Sequence, residues 1–109
     1  MPLYMTQFAY TTEAWTALTK KPVDRREGLR AMMEKLGGRL IELYYSLGEY
    51  DGVLLYEGPD DIAATAAVIA AVGAGHIKAV KTTKLLSVEE TMQALRKAGD
   101  LTYKAPSQR

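Results

Sequence analysis

Hydrophobic residues recur along the chain with two different periods, and the changes of period mark out the elements. From Leu3 to Tyr10 the chain mixes aromatic, aliphatic and hydroxyl side chains without glycine or proline, which is typical of a buried strand. Trp15 and Leu18 follow two threonines at helical spacing, so a short helix with a threonine N-cap is predicted there. Pro22 interrupts this helix, because proline disfavours helical geometry in the residue before it.

A second helix is predicted directly after Pro22. Asp24 and Glu27 have the spacing of a capping box. Four apolar residues then recur at helical spacing, namely Leu29, Met32, Met33 and Leu36. The glycines at positions 37 and 38 end the helix.

Strict alternation replaces helical spacing between Arg39 and Leu47, which predicts a second strand. One face of this strand is apolar and consists of Ile41, Leu43, Tyr45 and Leu47. The other face is more polar and consists of Leu40, Glu42, Tyr44 and Ser46. The segment Gly48–Gly52 has a glycine at each end and is predicted to be the turn of a hairpin, with Val53–Glu57 as the returning strand.

The rest of the chain is predicted to form a helix, a strand and a final helix. The segment Gly58-Pro59-Asp60-Asp61 is predicted to end the third strand and to cap an alanine-rich helix. The apolar tract of this helix runs from Ile62 to Gly75 and is shorter than the roughly 20 residues that a bilayer requires. The fourth strand covers His76–Leu86. Ser87 and Glu90 then form a second capping box, which opens a helix with one apolar face.

This order of elements predicts an α+β fold of the ferredoxin-like βαββαβ type, a four-stranded antiparallel sheet with helices on one face. Residues 1–99 are expected to form the domain, and residues 100–109 a polar C-terminal tail. The other face of such a sheet is bare, and we expect it to carry Tyr44, Leu54 and Tyr56. A soluble monomer rarely exposes so large an apolar surface, so a homodimer through this face is predicted.

Several motifs resemble the GYD domain family of small bacterial proteins. In chain order they are Gly37-Gly38-Arg39, Tyr44-Tyr45, Gly48-Glu49-Tyr50-Asp51 and Pro59-Asp60. The resemblance extends from Tyr4 to about Gly99, and it implies a ferredoxin-like fold assembled as a dimeric α/β barrel. It supplies no catalytic residues, and proteins of this fold include both enzymes and ligand-binding modules, so the fold alone selects no activity.

Composition narrows the chemistry of this protein of 109 residues. The absence of cysteine excludes disulfides, zinc ribbons and thiol nucleophiles, and a single histidine leaves little room for a metal site. The net charge of +1 argues against nucleic-acid binding, which needs a clustered basic excess. No export signal or membrane segment is recognisable, so a cytoplasmic protein without metal or cofactor is expected.

Four residues are candidates for acid–base chemistry. His76 can act as a general base or as a haem ligand, because imidazole titrates near neutral pH, although a lone histidine at a strand start is more often a surface residue. Glu42, Glu49 and Asp51 can serve as acids or bases if their pKa values are driven apart. For Glu49 and Asp51 the alternative is a purely structural role in a tight turn.

A ligand cavity is the other candidate site. Tyr44 and Tyr56 are predicted to line it together with Gln7, Glu42 and Lys81, a mixture of apolar wall and a few polar groups. Two functions follow. The first is a homodimeric ligand-binding or interaction module, and the second is a small cofactor-independent monooxygenase or isomerase that acts on a hydrophobic or aromatic molecule.

Overall fold

The computed structural model describes residues 1–107, and the predicted order of elements is confirmed in it. The elements are β1 (Leu3–Tyr10), α1 (Thr12–Lys20), α2 (Arg26–Lys35), β2 (Arg39–Tyr45), β3 (Gly52–Glu57), α3 (Asp61–Gly73), β4 (Ile77–Leu85) and α4 (Val88–Gly99). The first helical region of the βαββαβ fold is thus divided into α1 and α2, and α4 follows the last strand. Of the predicted tail, residues 101–107 contain no helix or strand, and positions 108 and 109 lie outside the described residues.

The strands form a four-stranded antiparallel sheet in the order β2-β3-β1-β4. β1 is central and pairs with both β3 and β4, so that Phe8 lies opposite Gly52 on one side and Val80 on the other. β2 and β4 are the edges.

Side-chain caps begin three of the helices as the sequence predicts. The Thr11 hydroxyl accepts a hydrogen bond from the Ala14 backbone nitrogen at 3.1 Å, and the Asp60 carboxylate caps α3 in the same way. At α4, Ser87 and Glu90 form the predicted capping box. Each bond satisfies a backbone N–H group that the first turn of a helix leaves unpaired.

The capping box predicted at Asp24 and Glu27 is wrong. The N-cap of α2 is Arg25, which makes no side-chain capping bond. Asp24 lies one residue earlier, and its carboxylate accepts hydrogen bonds from the backbone nitrogen of Arg26 at 3.0 Å and from its guanidinium group at 2.8 Å. The Asp24 carboxylate is therefore bound by Arg26 and does not form the predicted capping box with Glu27. The hydrogen bonds from Arg26 lower the pKa of Asp24 to about 2.

The core lies between one face of the sheet and helices α1, α2 and α3. β1 contributes Tyr4, Phe8 and Tyr10 to it, and β3 contributes Tyr56, whose ring stacks on that of Tyr4 at 5.5 Å. The helices supply mainly small or flexible side chains, namely Ala14, Met33, Ala64 and Ala67. We call this side of the sheet the covered face.

A β-bulge in β2 overturns the faces predicted for Leu40 and Ile41, whereas Leu43 and Tyr44 lie on the predicted sides of the strand. Leu40 lies opposite Tyr56 and Leu43 lies opposite Leu54, so the two leucines share the covered face although they are three residues apart. The extra residue falls between Leu40 and Glu42 and shifts the register. Consequently Leu40 is buried and Ile41 is exposed, the reverse of the alternation that the sequence predicts.

The other side of the sheet, which we call the open face, carries the alternate residues of the same strands. On β1 these are Leu3, Met5, Gln7 and Ala9. The prediction that Leu54 and Tyr56 lie on this face is wrong, because both are buried on the covered face. No residue of α4 is buried, and the described chain extends 63 Å along its longest axis.

Candidate ligand site

A cavity of about 490 Å³ lies between the covered face and the helices. Its floor is formed by side chains of β1, β3 and β4, namely Thr6, Phe8, Leu54, Tyr56 and Val80. Its walls come from α1, α2 and α3, and the volume is within the range of about 300–1,000 Å³ that is usual for small-molecule sites.

Small side chains on the helices account for the space. α1 presents Ala14 and Ala17 to the cavity, and α3 presents Ala67 and Ala71. An alanine at a contact between a helix and a sheet leaves room that a leucine would fill. The alanines that α3 presents to the cavity therefore leave this space open.

The hydroxyl groups of the two floor residues Thr6 and Tyr56 are hydrogen-bonded within the fold. The Thr6 hydroxyl lies 2.8 Å from the Tyr56 hydroxyl and 2.9 Å from that of Thr82. Within residues 1–107, no buried side-chain nitrogen or oxygen lacks a hydrogen-bond partner. The floor can therefore receive an apolar group without leaving one of its own polar atoms unpaired.

An aromatic cluster forms one end of the cavity region. Tyr10 packs its ring 5.1 Å from Phe8 and 5.1 Å from Trp15, and its hydroxyl lies 3.2 Å from that of Tyr45. Burial and the hydrogen bond with Tyr45 raise the pKa of Tyr10 well above its usual value. This wall is consequently uncharged at neutral pH.

Basic residues are the ionisable groups at the mouth of the cavity. Lys21, Arg25 and His76 line it, and all three are exposed. No aspartate or glutamate is among the lining residues. The site therefore joins an apolar interior to a mouth of positive charge.

The structure does not bring the four predicted acid–base residues together. Of the four, only His76 lines the cavity. Glu42 accepts a hydrogen bond from the Leu43 backbone nitrogen at 3.0 Å and lies 3.8 Å from the Arg26 guanidinium group. Asp51 accepts hydrogen bonds within the fold, and Glu49 is exposed in the turn before it.

The predicted ligand-binding residues lie on opposite faces of the sheet. Tyr56 belongs to the cavity floor. Tyr44 is 56% exposed and lies opposite Val53 on the open face, and Gln7 lies opposite Lys81 on the same face. The prediction that Tyr44 and Tyr56 line one cavity is therefore wrong, because the strand register separates them.

Most of the residues that line the observed cavity are not among the site residues predicted from the sequence. Thr6 lies among mixed aromatic, aliphatic and hydroxyl side chains in β1, and nothing in the sequence distinguishes it as a site residue. The alanines of α1 and α3 carry no reactive or polar group that would indicate a ligand site. The spacing of Ala64, Ala67 and Ala71 on one side of α3 is the pattern that could have indicated a thin wall.

Residues 1–107 contain neither a candidate metal site nor a helix that could span a membrane. In the part of the chain that the structure describes, no group of three or more histidine, cysteine, aspartate or glutamate side chains is placed to hold a metal ion. Within residues 1–107, no helix is both long enough and apolar enough to cross a membrane.

Comparisons with known proteins establish the family and the fold. A search of the curated proteins gave no significant match. Among solved structures, the one described as the crystal structure of MtbAldR (Rv2779c) superposes with a TM-score of 0.52 at 15% sequence identity. The match covers 79% of this chain and 52% of that one, so this chain spans about half the length of that relative, and the likeness shows the shared fold alone. A family model of the GYD domain matches residues 4–95, and because this is most of its length, the chain belongs to the GYD domain family.

Proposed function

We propose that this protein is a cytoplasmic module that binds an apolar small molecule, and that it works as a homodimer. The observation that carries the binding function is the cavity of about 490 Å³ between the covered face and α1–α3. A site of this kind binds by removing apolar surface from water, and each Å² contributes about 25 cal/mol. The uncharged floor favours such a guest over a polar one.

The geometry supports binding better than acid–base catalysis. A general acid or base must reach the substrate within hydrogen-bond distance. Glu42, Glu49 and Asp51 are outside the lining of the cavity, and Glu42 and Asp51 are engaged with neighbouring groups of the fold. Of the four candidates, only His76 lines the cavity where a ligand would lie, and no carboxylate lines the cavity beside it.

The homodimer is supported by the character of the open face. Leu3, Met5, Val53, Leu55 and Leu85 lie on this side of the sheet and are only half-buried. Helices α1–α3 all pack on the covered face, and α4 buries none of its residues. A second copy of the chain can cover the apolar strands with an identical surface, as the two-fold interface of a homodimer requires.

A matched pair of substitutions on α3 tests the binding function. Ala71 lines the cavity, whereas Ala70 beside it is exposed and does not. Ala71→Phe should fill part of the cavity and weaken binding of the uncharged dye N-phenyl-1-naphthylamine by about tenfold or more. Ala70→Phe should leave the dye affinity of the wild type unchanged. Thermal melts followed by circular dichroism establish that both variants fold.

The result that would refute the proposal is equally clear. If the wild type does not bind the dye, or if the Ala71→Phe and Ala70→Phe variants bind it equally well, the cavity is not a ligand site.

A further inference from the structure

The side chains at the mouth of the cavity are basic, and no aspartate or glutamate lines the cavity beside them. Within residues 1–107, the side chains of Lys21, Arg25 and His76 take part in no hydrogen bond or ion pair. Arg26 binds Asp24 at 2.8 Å, next in sequence to the unpaired Arg25.

The two basic side chains nearest each other in sequence flank the gap between α1 and α2. Lys21 is the C-cap of α1, and Arg25 is the N-cap of α2. Both line the cavity, together with Val23 between them. Arg25 is also close enough to Tyr10 for its positive charge to oppose the rise in the pKa of that phenol. The loop thus places two cations in the cavity lining, with Arg25 beside the aromatic end.

The interior offers nothing that would bind a charge. The hydroxyls of Thr6 and Tyr56 are paired with each other, Thr6 is also paired with Thr82 outside the cavity lining, and the remaining floor is apolar. A charged group placed there would lose its hydration without a compensating partner. An anionic guest therefore has one favourable orientation, with its apolar body inside and its acidic group at the mouth.

We infer that the ligand is an amphipathic acid, an apolar molecule with one carboxylate, and that Lys21 and Arg25 bind this carboxylate at the mouth of the cavity. The inference rests on the proposed binding function and adds the class of ligand to it. Arg25 can offer a carboxylate two parallel N–H donors, and Lys21 adds a second positive charge. His76 is a further donor at the same mouth.

Competition between two molecules that differ only in the head group tests this inference. Decanoate and 1-decanol are each titrated against bound N-phenyl-1-naphthylamine, an uncharged probe that does not depend on the cations. We expect decanoate to displace the probe at a concentration about three- to tenfold lower than decanol, because each exposed ion pair adds only a small factor.

Substitution of the two cations should remove the preference. In the Lys21→Gln, Arg25→Gln double variant, decanoate and decanol should compete equally, with the affinity for decanol unchanged. The matched control is Arg30→Gln with Lys35→Gln, which removes the same charges from exposed positions of α2 that do not line the cavity. This control should keep the preference of the wild type.

Salt provides a test that needs no variant. Raising NaCl from about 20 mM to about 0.5 M should reduce the preference for decanoate, since screening weakens the ion pairs at an exposed mouth. Equal competition by the acid and the alcohol in the wild type at low salt would overturn the inference while leaving the binding function intact. Failure of the dye and of both competitors to bind would overturn both.

Discussion

The carboxylate of Asp51 accepts a hydrogen bond at 2.8 Å from the backbone nitrogen of Tyr10, the last residue of β1. The same oxygen accepts a hydrogen bond from the indole nitrogen of Trp15 at 3.3 Å, and the backbone nitrogen of Asp51 donates to the carbonyl oxygen of Phe8 at 2.8 Å. The turn between β2 and β3 is thereby attached to the end of β1 and to α1. These bonds give the aspartate of the motif Gly48-Glu49-Tyr50-Asp51 a structural role.

Asp51→Ala should destabilise the protein by about 1–3 kcal/mol, because it leaves the partly buried N–H of Tyr10 without an acceptor. Urea denaturation measures the loss, and the fluorescence of Trp15 should change in the native state. Glu49→Ala is the control, since Glu49 is exposed in the same turn, and its effect should stay within about 0.5 kcal/mol. Equal effects of the two substitutions would show that Asp51 contributes only as a turn residue.

Gly52→Ala should also destabilise the fold, by about 1–3 kcal/mol. A Cβ atom at position 52 would lie 2.3 Å from Cζ of Phe8 and 2.8 Å from its Cε1, so the ring must move within the core. Gly48→Ala, in the same hairpin, meets no atom within 4 Å and should cost less than about 0.5 kcal/mol. Comparison of the two urea midpoints checks the prediction, and equal midpoints would contradict it.

The order of the elements could be predicted because local signals and tertiary structure agree along most of the chain. Thr11, Asp60 and Ser87 each stand where a helix begins, and each makes the predicted capping bond. The glycine at position 37 adopts a φ of +81°, which explains the end of α2. Periods of two and of 3.6 residues were enough to separate strands from helices.

The sequence predicted the order of the elements better than it predicted which face of the sheet each strand residue lies on. The predicted ligand site depended on that assignment. Because of the bulge between Leu40 and Glu42, alternation assigns Leu40 and Ile41 to the wrong faces, and no residue type signals the bulge. Tyr56 alternates with half-buried neighbours and could face either way from its sequence context alone. The cavity depends on how far α3 lies from the sheet, a distance that packing sets and periodicity does not report.

The hydrogen bond between Tyr4 and Asp61 should make stability depend on alkaline pH. The Tyr4 hydroxyl donates to the Asp61 carboxylate at 2.6 Å, and this bond together with burial raises the pKa of Tyr4 to about 12 from 10.0. The folded state therefore holds the proton more tightly than the unfolded state. The resulting stabilisation is fully present below about pH 10 and is lost as the pH rises towards about 12.

The Tyr4→Phe variant should show a shallower loss of stability between about pH 10 and about pH 12 than the wild type. Urea midpoints at a series of pH values measure this difference. Tyr103→Phe is the control, because Tyr103 is 81% exposed, and its curve should run parallel to that of the wild type. A Tyr4→Phe curve that also runs parallel would show that the Tyr4 proton is not coupled to folding.

The same bond has the opposite consequence for Asp61 at acid pH. The hydrogen bonds from Tyr4 and from Lys84, whose Nζ lies 3.1 Å from the carboxylate, lower the pKa of Asp61. The carboxylate thus stabilises the fold above its unfolded pKa, and this contribution disappears as the pH falls through the folded value. Asp61→Asn should flatten the acid side of the stability profile, and an unchanged acid side would contradict the assignment.

The proposed homodimer can be tested by placing a charge on the open face. Leu55 lies there opposite Met5, and it is half-buried in the single chain, so a lysine at this position can keep its charge in water only while no partner covers it. Leu55→Lys should therefore remain folded but dissociate, and light scattering should change from twice the chain mass of 12.0 kDa to the chain mass itself. Ile69→Lys makes the same change at a 66% exposed position of α3, away from the open face, and should stay dimeric. If the wild type has the mass of one chain at micromolar concentration, the open face is not a dimer interface, and the cavity of each chain must function alone.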